Sequence, residues 1–343
     1  MTSLQLLQAV GNIPDRYILE AHQARPRRAR WWLLAAGLAA ALLLTGCAIA
    51  LHWYGTYFAA EQGGPLSKGQ QDYIQSQVQD IQQVQCQDGG CVELKSVLAA
   101  GKTAYVTLGI TASETVDFSP ALLSEPKAHI RLWKLWAVSP EGYGDIAYEA
   151  AEDGDGLANT VNLVLRLDMP EDPADAGAQQ WEIHFSGIRY VPHAPAGEDA
   201  APEITLAAGN WQFPLEISAD TGQIQLLSQP VWTKALVIRS EEPVAPPEIV
   251  VEQVQLTAIR LTPLGAEIQF VKPQPLDTFE SMFIGPEAPG GEEAYVLTKD
   301  GVKIHFFQGE GAKEQAWLKA DSPIPLNDVT KLVLPDGTVV DRE

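Results

Sequence analysis

The chain has 343 residues, with 44 acidic against 23 basic side chains, a formal net charge of −21 and 46% hydrophobic residues. That length leaves room for two domains of ordinary size. So acidic a balance repels phosphate backbones and anionic headgroups, which excludes nucleic-acid binding as the work of the bulk of the chain and fits a solvated exterior.

The charge is unevenly divided. Ahead of Gly55 stand Arg16, Arg25, Arg27, Arg28 and Arg30 against Asp15 and Glu20, a net of +3 that leaves −24 for the remainder. Residues 1–30 read as a cytoplasmic arm. Ser3 is placed to cap a short helix with Leu4, Leu7 and Val10 along one side; Gly11 ends it, and Pro14 and Asp15 suit the first turn of a second helix carrying Tyr17 and Ile18. About twenty residues cannot bury a core alone, so Leu4, Leu7, Val10, Ile13, Tyr17 and Ile18 form a candidate surface for a cytosolic partner or for the membrane. An unstructured tail is the alternative.

From Leu33 to Leu51 run nineteen residues without a charge, enough for a helix of roughly 28 Å, one hydrocarbon core. Trp31 and Trp32 at one end, with Trp53 and Tyr54 at the other, are the aromatic types that favour headgroup level, so 31–54 reads as a transmembrane helix with these four as interface anchors. Arg25, Arg27, Arg28 and Arg30 precede the span and the next basic residue is Lys68. The positive-inside rule then places the N-terminus in the cytoplasm and the bulk outside, in the cell membrane with one span. Leu44-Thr45-Gly46-Cys47 supports a competing reading, a signal peptide cut before a lipidated Cys47. Against it, the apolar sequence continues through Ala48-Ile49-Ala50-Leu51-His52-Trp53-Tyr54.

Residues 55–66 read as a flexible stalk. Ser67-Lys68-Gly69-Gln70 has capping-box form, and Tyr73, Ile74, Val78 and Ile81 follow at helical spacing, which predicts a short membrane-proximal helix. Cys86-Gln87-Asp88-Gly89-Gly90-Cys91 places strong turn chemistry between two thiols. A disulfide between Cys86 and Cys91 across a hairpin is expected, stabilising by about 2 kcal/mol for so small a ring.

Thereafter the period is two. Val92, Leu94 and Ser96 alternate with Glu93, Lys95 and Val97, and Ala104 to Thr111 forms the partner strand beyond a turn at Gly101. Further strands are predicted at 129–138, 159–167, 180–190, 210–217, 223–228 and 231–238. Glu241-Glu242-Pro243-Val244-Ala245-Pro246-Pro247 reads as a linker. A second β-rich stretch then has strands at 250–259, 265–271, 293–297, 302–307, 314–319, 331–334 and 338–340, with hairpin turns at Asp300-Gly301 and Asp336-Gly337. The expected fold is mainly β: after the transmembrane helix, two immunoglobulin-like β-sandwich extracellular domains, 67–240 and 248–343, joined by linker 241–247.

The order of these segments resembles a group of bacterial single-pass membrane proteins that carry an extracellular domain of unknown function, are encoded beside extracytoplasmic-function sigma factors and are assigned an anti-sigma role. The resemblance rests on Leu6-Leu7-Gln8-Ala9-Val10-Gly11-Asn12-Ile13-Pro14-Asp15, on Leu66-Ser67-Lys68-Gly69-Gln70-Gln71-Asp72-Tyr73-Ile74, and on the run from Val92 to Val106. Gly209-Asn210-Trp211-Gln212-Phe213 and Leu261-Thr262-Pro263-Leu264-Gly265 are also similar. It implies a regulator whose arm binds a cytosolic sigma factor. This arm carries only His22 and no cysteine, so the His and CxxC ligand set of the zinc-binding helical-bundle anti-sigma domains is incomplete here, and binding would rest on the apolar face.

Chemical signatures are absent. The histidines, His22, His52, His129, His184, His193 and His305, form no HExxH motif or Cys/His cluster, and no GxSxG elbow occurs, so neither an enzyme nor a cofactor or metal site is expected. His184 and His305 read as ordinary strand residues. Glu152-Asp153-Gly154-Asp155-Gly156 invites calcium but lacks the later ligands of a binding loop. Trp133, Trp136, Trp181, Trp211, Trp232 and Trp317 either line a carbohydrate or peptide platform or pack a core, the second being the commoner use. No ligand is legible.

Overall fold

Antiparallel ladders account for nearly all the regular structure. The computed structural model describes residues 52–87, 90–112, 129–151, 159–169, 178–191, 204–218, 222–227, 229–239, 248–271, 280–283, 293–312 and 315–342, which belong to one unit of the chain. The fold is mainly β, and its sheets curl into barrel-like shapes. Among the described residues two helices precede the strands: α1 over 52–61 and α2, Lys68–Gln77.

The first β unit is built on an eight-stranded sheet in the order β1-β2-β3-β7-β6-β5-β8-β11. Its strands are β1 (Gln79–Gln87), β2 (Gly90–Ala100), β3 (Thr103–Ala112), β5 (Trp136–Ser139), β6 (Gly142–Ala151), β7 (Thr160–Asp168), β8 (Gln179–Phe185) and β11 (Trp211–Ile217). A three-stranded sheet of β4 (His129–Leu132), β9 (Ile188–Val191) and β10 (Ile204–Ala207) adds Ile130, Leu132, Ile188 and Ala207 to the same core. Alternation places Trp181, Ile183 and Phe185 of β8 and Trp211, Phe213 and Leu215 of β11 inside, with the intervening residues outside.

The two edge strands of this sheet meet through glutamine side chains. Gln79 donates to the Ser218 carbonyl at 2.5 Å and Gln83 to the Pro214 carbonyl at 2.9 Å. Gln85 and Gln87 each donate through Nε2 to a β11-side carbonyl, of Gln212 and Asn210 respectively, while their Oε1 atoms accept from the backbone N–H of the same residues, at 3.2 and 2.7 Å. A primary amide is chemically a peptide group, so these side chains stand in for a ladder. Pro214 carries no N–H and sits where only its carbonyl is wanted, a position on an edge where proline costs nothing.

The second β unit is a ten-stranded sheet in the order β16-β13-β14-β15-β19-β18-β17-β20-β21, with β12 also paired to β14. Its strands are β12 (Ile224–Gln225), β13 (Val231–Arg239), β14 (Glu248–Thr262), β15 (Gly265–Val271), β16 (Glu280–Phe283), β17 (Tyr295–Thr298), β18 (Lys303–Ala312), β19 (Gln315–Ala320), β20 (Val329–Val333) and β21 (Val339–Asp341). Gly301 and Gly337, at φ +80° and +83°, occupy the expected turns.

Three expectations are corrected by this arrangement. The strands curl into barrel-like sheets, an eight-stranded and a three-stranded one in the first unit and a ten-stranded one in the second, where a face-to-face sandwich was expected in each; strand length and period specify a buried face but not how a sheet closes. The boundary expected at 240 lies inside a hairpin, because β13 pairs with β14 from Val231↔Leu256 to Arg239↔Glu248. The proline-rich stretch 241–247 therefore connects neighbouring strands of one sheet, and the second unit begins with β12. Residues 55–66, expected as a flexible stalk, include the helical turns of α1, and Phe58 and Leu66 are buried.

Candidate functional site

The feature that joins the whole described structure is the junction where α1 and α2 meet both β units. It begins with a bulge. β2 and β3 slip register between Leu94 and Ser96, so Leu94 faces the barrel core and so, three residues on, does Val97. The expected alternation of Val92, Leu94 and Ser96 on one face thus fails at Ser96, and Ser96, Leu98 and Ala100 turn outward.

That outward face is covered by α1, which is why β3 is buried on both sides. Tyr54, Phe58, Leu66 and Ile74 pack there with Leu98, Ala100, Tyr105 and Val164 of the first unit and Leu264 of the second. The Tyr54 hydroxyl donates to the Tyr105 carbonyl at 2.9 Å, with the Ser96 carbonyl 3.2 Å away. The Phe58 ring meets Tyr105 edge to face, centroids 4.8 Å apart. Burial drives the Tyr105 hydroxyl well above the ordinary tyrosine pKa.

Trp53 and Tyr54, expected at a membrane interface, lie instead in protein, 6% and 0% exposed. An amphipathic ring is satisfied equally by a dry cleft holding carbonyl acceptors, and composition does not distinguish the two. A stripe of Tyr54, Phe58 and Tyr57 at helical spacing beyond the end of the apolar run was the available signal.

A polar strut crosses the same junction. Ser67 and Gln70 form the predicted capping box, Gln70 N–H to Ser67 Oγ at 3.3 Å and Ser67 N–H to Gln70 Oε1 at 2.8 Å. The fully buried Gln70 amide then donates through Nε2 to Gln62 Oε1 and to Ser322 Oγ of the second unit, both at 2.9 Å. One side chain thus caps the start of α2 and ties it to the segment after β19, 252 residues away. Ser322 Oγ contacts Gln62 Oε1 at 2.7 Å and Asp321 Oδ1 at 3.1 Å, while the His305 N–H donates to Asp321 Oδ2 at 3.2 Å. Burial raises the Asp321 carboxyl to about 6, against the lowering effect of these hydrogen bonds.

Direct contact between the β units completes the site. Lys319, 1% exposed, donates to Asp168 Oδ2 at 2.8 Å, and the Arg166 guanidinium lies 4.9 Å from the Phe307 ring centroid. Gly101, at φ +58° in the β2–β3 turn, presses on the Trp317 ring; a Cβ there would come within 2.5 Å of it. Beside the strut a groove of about 640 Å³ lies between α2 and the segment Ile324–Asp328.

Elsewhere, Cys86 and Cys91 are bonded across β1 and β2 as expected, opposite one another in register. The helical spacing stops short of Ile81, since α2 ends at Gln77 and Ile81 lies on β1. The tryptophans divide: Trp181, Trp211 and Trp317 are buried, whereas Trp133, Trp136 and Trp232 are 39%, 40% and 53% exposed. His184 lies on β8 and His305 on β18. Among the described residues no group of three His, Cys, Asp or Glu could hold a metal ion, and no helix is long and apolar enough to cross a membrane. Leu4, Leu7, Val10, Ile13, Tyr17, Ile18, Arg25, Arg27, Arg28, Arg30, Trp31, Trp32, Cys47 and the Glu152–Gly156 stretch lie outside the described residues.

No family model and no curated protein matches the chain. Among solved structures it is similar to one titled "The crystal structure of the conserved domain protein from Bacillus anthracis", at a TM-score of 0.41 and 11% identity over 75% of this chain and 76% of that one.

Proposed function

We propose that the chain is a non-enzymatic, single-pass membrane regulator of the anti-sigma type. Its cytoplasmic arm holds a cytosolic partner, a sigma factor, through Leu4, Leu7, Val10, Ile13, Tyr17 and Ile18. The apolar run from Leu33 to Leu51 spans the cell membrane, and the β units lie outside, where they sense a ligand or the state of the envelope. A single helix relays a signal only if the outer structure grips it, since a free joint would let the two sides move independently. The burial of Tyr54 and Phe58 against Tyr105 carries this reading: the helix that follows the apolar run is held in the junction of both β units.

The test is capture of cytosolic proteins by the arm on full-length chain. Leu4→Asp with Leu7→Asp abolishes recovery of the sigma factor on this proposal, and unchanged capture overturns it. Protease added to intact cells removes the β units and spares the arm.

A second reading, an exterior binding module anchored by lipid on Cys47, gains from the same observation. Trp53, Tyr54 and Phe58, which read as a continuation of the membrane helix, owe their apolar character to protein packing. Incorporation of labelled fatty acid that is lost in Cys47→Ser decides for it; an unlabelled chain decides against it.

A further inference from the structure

The outer face of β6, β5, β8 and β11 carries aromatic rings that the core does not use. Trp136 stands opposite His184 in the β5–β8 ladder and Gln212 opposite His184 in the β8–β11 ladder, so the three form one row. Tyr143, Val138, Glu182 and Pro214 form the next. The Trp136 and His184 rings stack 3.8 Å apart at 3°, which covers one face of the indole, and Tyr143 meets Trp136 at 6.1 Å. The Trp–His stack is an ordinary cross-strand pair. Tyr143 has no such explanation: it is 75% exposed, and Trp136 beside it is 40% exposed.

Polar groups flank the rings in a fixed arrangement. Glu182 Oε2 lies 3.0 Å from His184 Nε2 and accepts from Gln212 Nε2 at 3.0 Å. In the row beyond, Gln180 donates to Glu216 at 2.7 Å. A flat apolar patch edged by oriented carboxylates and amides matches a pyranose, whose axial C–H bonds make an apolar face and whose hydroxyls make a polar rim. A peptide that binds by adding a strand would need open backbone groups, and a sheet face offers none. A polyanion or anionic lipid surface meets Glu182, Glu216 and a chain of net charge −21. Four strands at about 4.8 Å spacing span about 14 Å, the reach of a short chain of sugars and not of one ring.

We propose that this face binds a neutral oligosaccharide, with sugar rings against Tyr143 and the exposed edge of Trp136, and hydroxyls on Glu182 and Gln212. The proposal rests on the function proposed above only in giving the face access to the exterior. The full-length chain in nanodiscs of neutral lipid, open from both sides, is titrated with cellohexaose and with chitohexaose, followed by tryptophan fluorescence and calorimetry. At least one binds saturably, and Tyr143→Ala weakens it about fivefold to tenfold, the worth of one stacked ring. Trp136→Ala weakens it at least as much, while Trp232→Ala, on the other β unit, leaves it unchanged. Tyr143→Ala alters an exposed side chain and so keeps the unfolding midpoint of the parent. No saturable binding of either sugar, tighter binding of polygalacturonate, or binding indifferent to Tyr143→Ala overturns the proposal. None of these results bears on whether the arm captures a sigma factor, so the two ideas fail separately.

Discussion

The molecule closes two seams by different means. Where the first sheet meets itself, between β1 and β11, the contact is a row of glutamine amides on backbone groups, exposed to solvent. Where the two β units meet, the contact is drier: α1 and α2 pack Tyr54, Phe58 and Ile74 fully buried against Tyr105 and Leu264, with the buried Lys319 on a part-buried Asp168 alongside. A hydrogen bond in water exchanges one partner for another and nets about 1 kcal/mol, whereas a buried aromatic ring stabilises by several. The first seam therefore specifies which edges meet, and the second holds the units together.

The largest effect separating the two seams is expected at Phe58. Truncation to Ala leaves a cavity lined by Tyr54, Tyr57 and Tyr105 and costs about 3–5 kcal/mol in denaturant unfolding. A loss below about 1 kcal/mol would mean that α1 lies on the surface of the junction and grips nothing, and the coupling between helix and β units would go with it.

The same junction sets a pH dependence that the glutamine seam lacks. The folded state holds the Asp321 proton to about 6 through burial, against an ordinary carboxyl value of about 3.9 in the unfolded chain. Between those values the folded state binds more protons, so the contribution of Asp321 to stability is full below about 4, is lost as pH rises through 6, and is level above it, a change on the order of 3 kcal/mol. Asp321→Asn flattens that slope in a series of melts. A slope that survives the substitution assigns it to other carboxylates and removes Asp321 from the strut.

Much of this was legible in local pattern. The Ser67–Gln70 box, the Cys86–Cys91 hairpin and the start of β15 at Gly265 were each set by a few adjacent residues whose chemistry has one common outcome. The junction was not legible, for a physical reason: period tells which face of an element is buried, not what buries it. Tyr54 satisfies the pattern of a membrane edge as well as that of a protein cleft. Ser96 changes face through a bulge that no alternation announces. β1 was obscured because its useful residues are polar: Gln79, Gln83, Gln85 and Gln87 look like a solvated surface, and a bulge between Asp80 and Gln83 breaks the period. The aromatic platform was half legible, since the tryptophans were visible but their division between core and surface depends on strand phase.

The smallest effect tests whether those glutamines act as a ladder. Gln85 and Gln87 each exchange two hydrogen bonds with one β11-side residue, whereas Gln83 can make only one with Pro214, which has no N–H. If the amide replaces a peptide group, Gln85→Ala and Gln87→Ala cost about 1 kcal/mol each and Gln83→Ala about half as much, because exposed hydrogen bonds are largely repaid by water. Gln→Glu at the same positions keeps the length but removes the donor and places an acceptor against a carbonyl, so it costs more than Ala at 85 and 87. Hydrogen exchange locates the change: the Asn210 and Gln212 amides lose protection in the Ala variants while the β2–β3 ladder keeps its own. If Ala and Glu behave alike and those amides stay protected, the backbone of β11 is shielded by something other than the amides, and the contrast between the two seams becomes one of exposure alone.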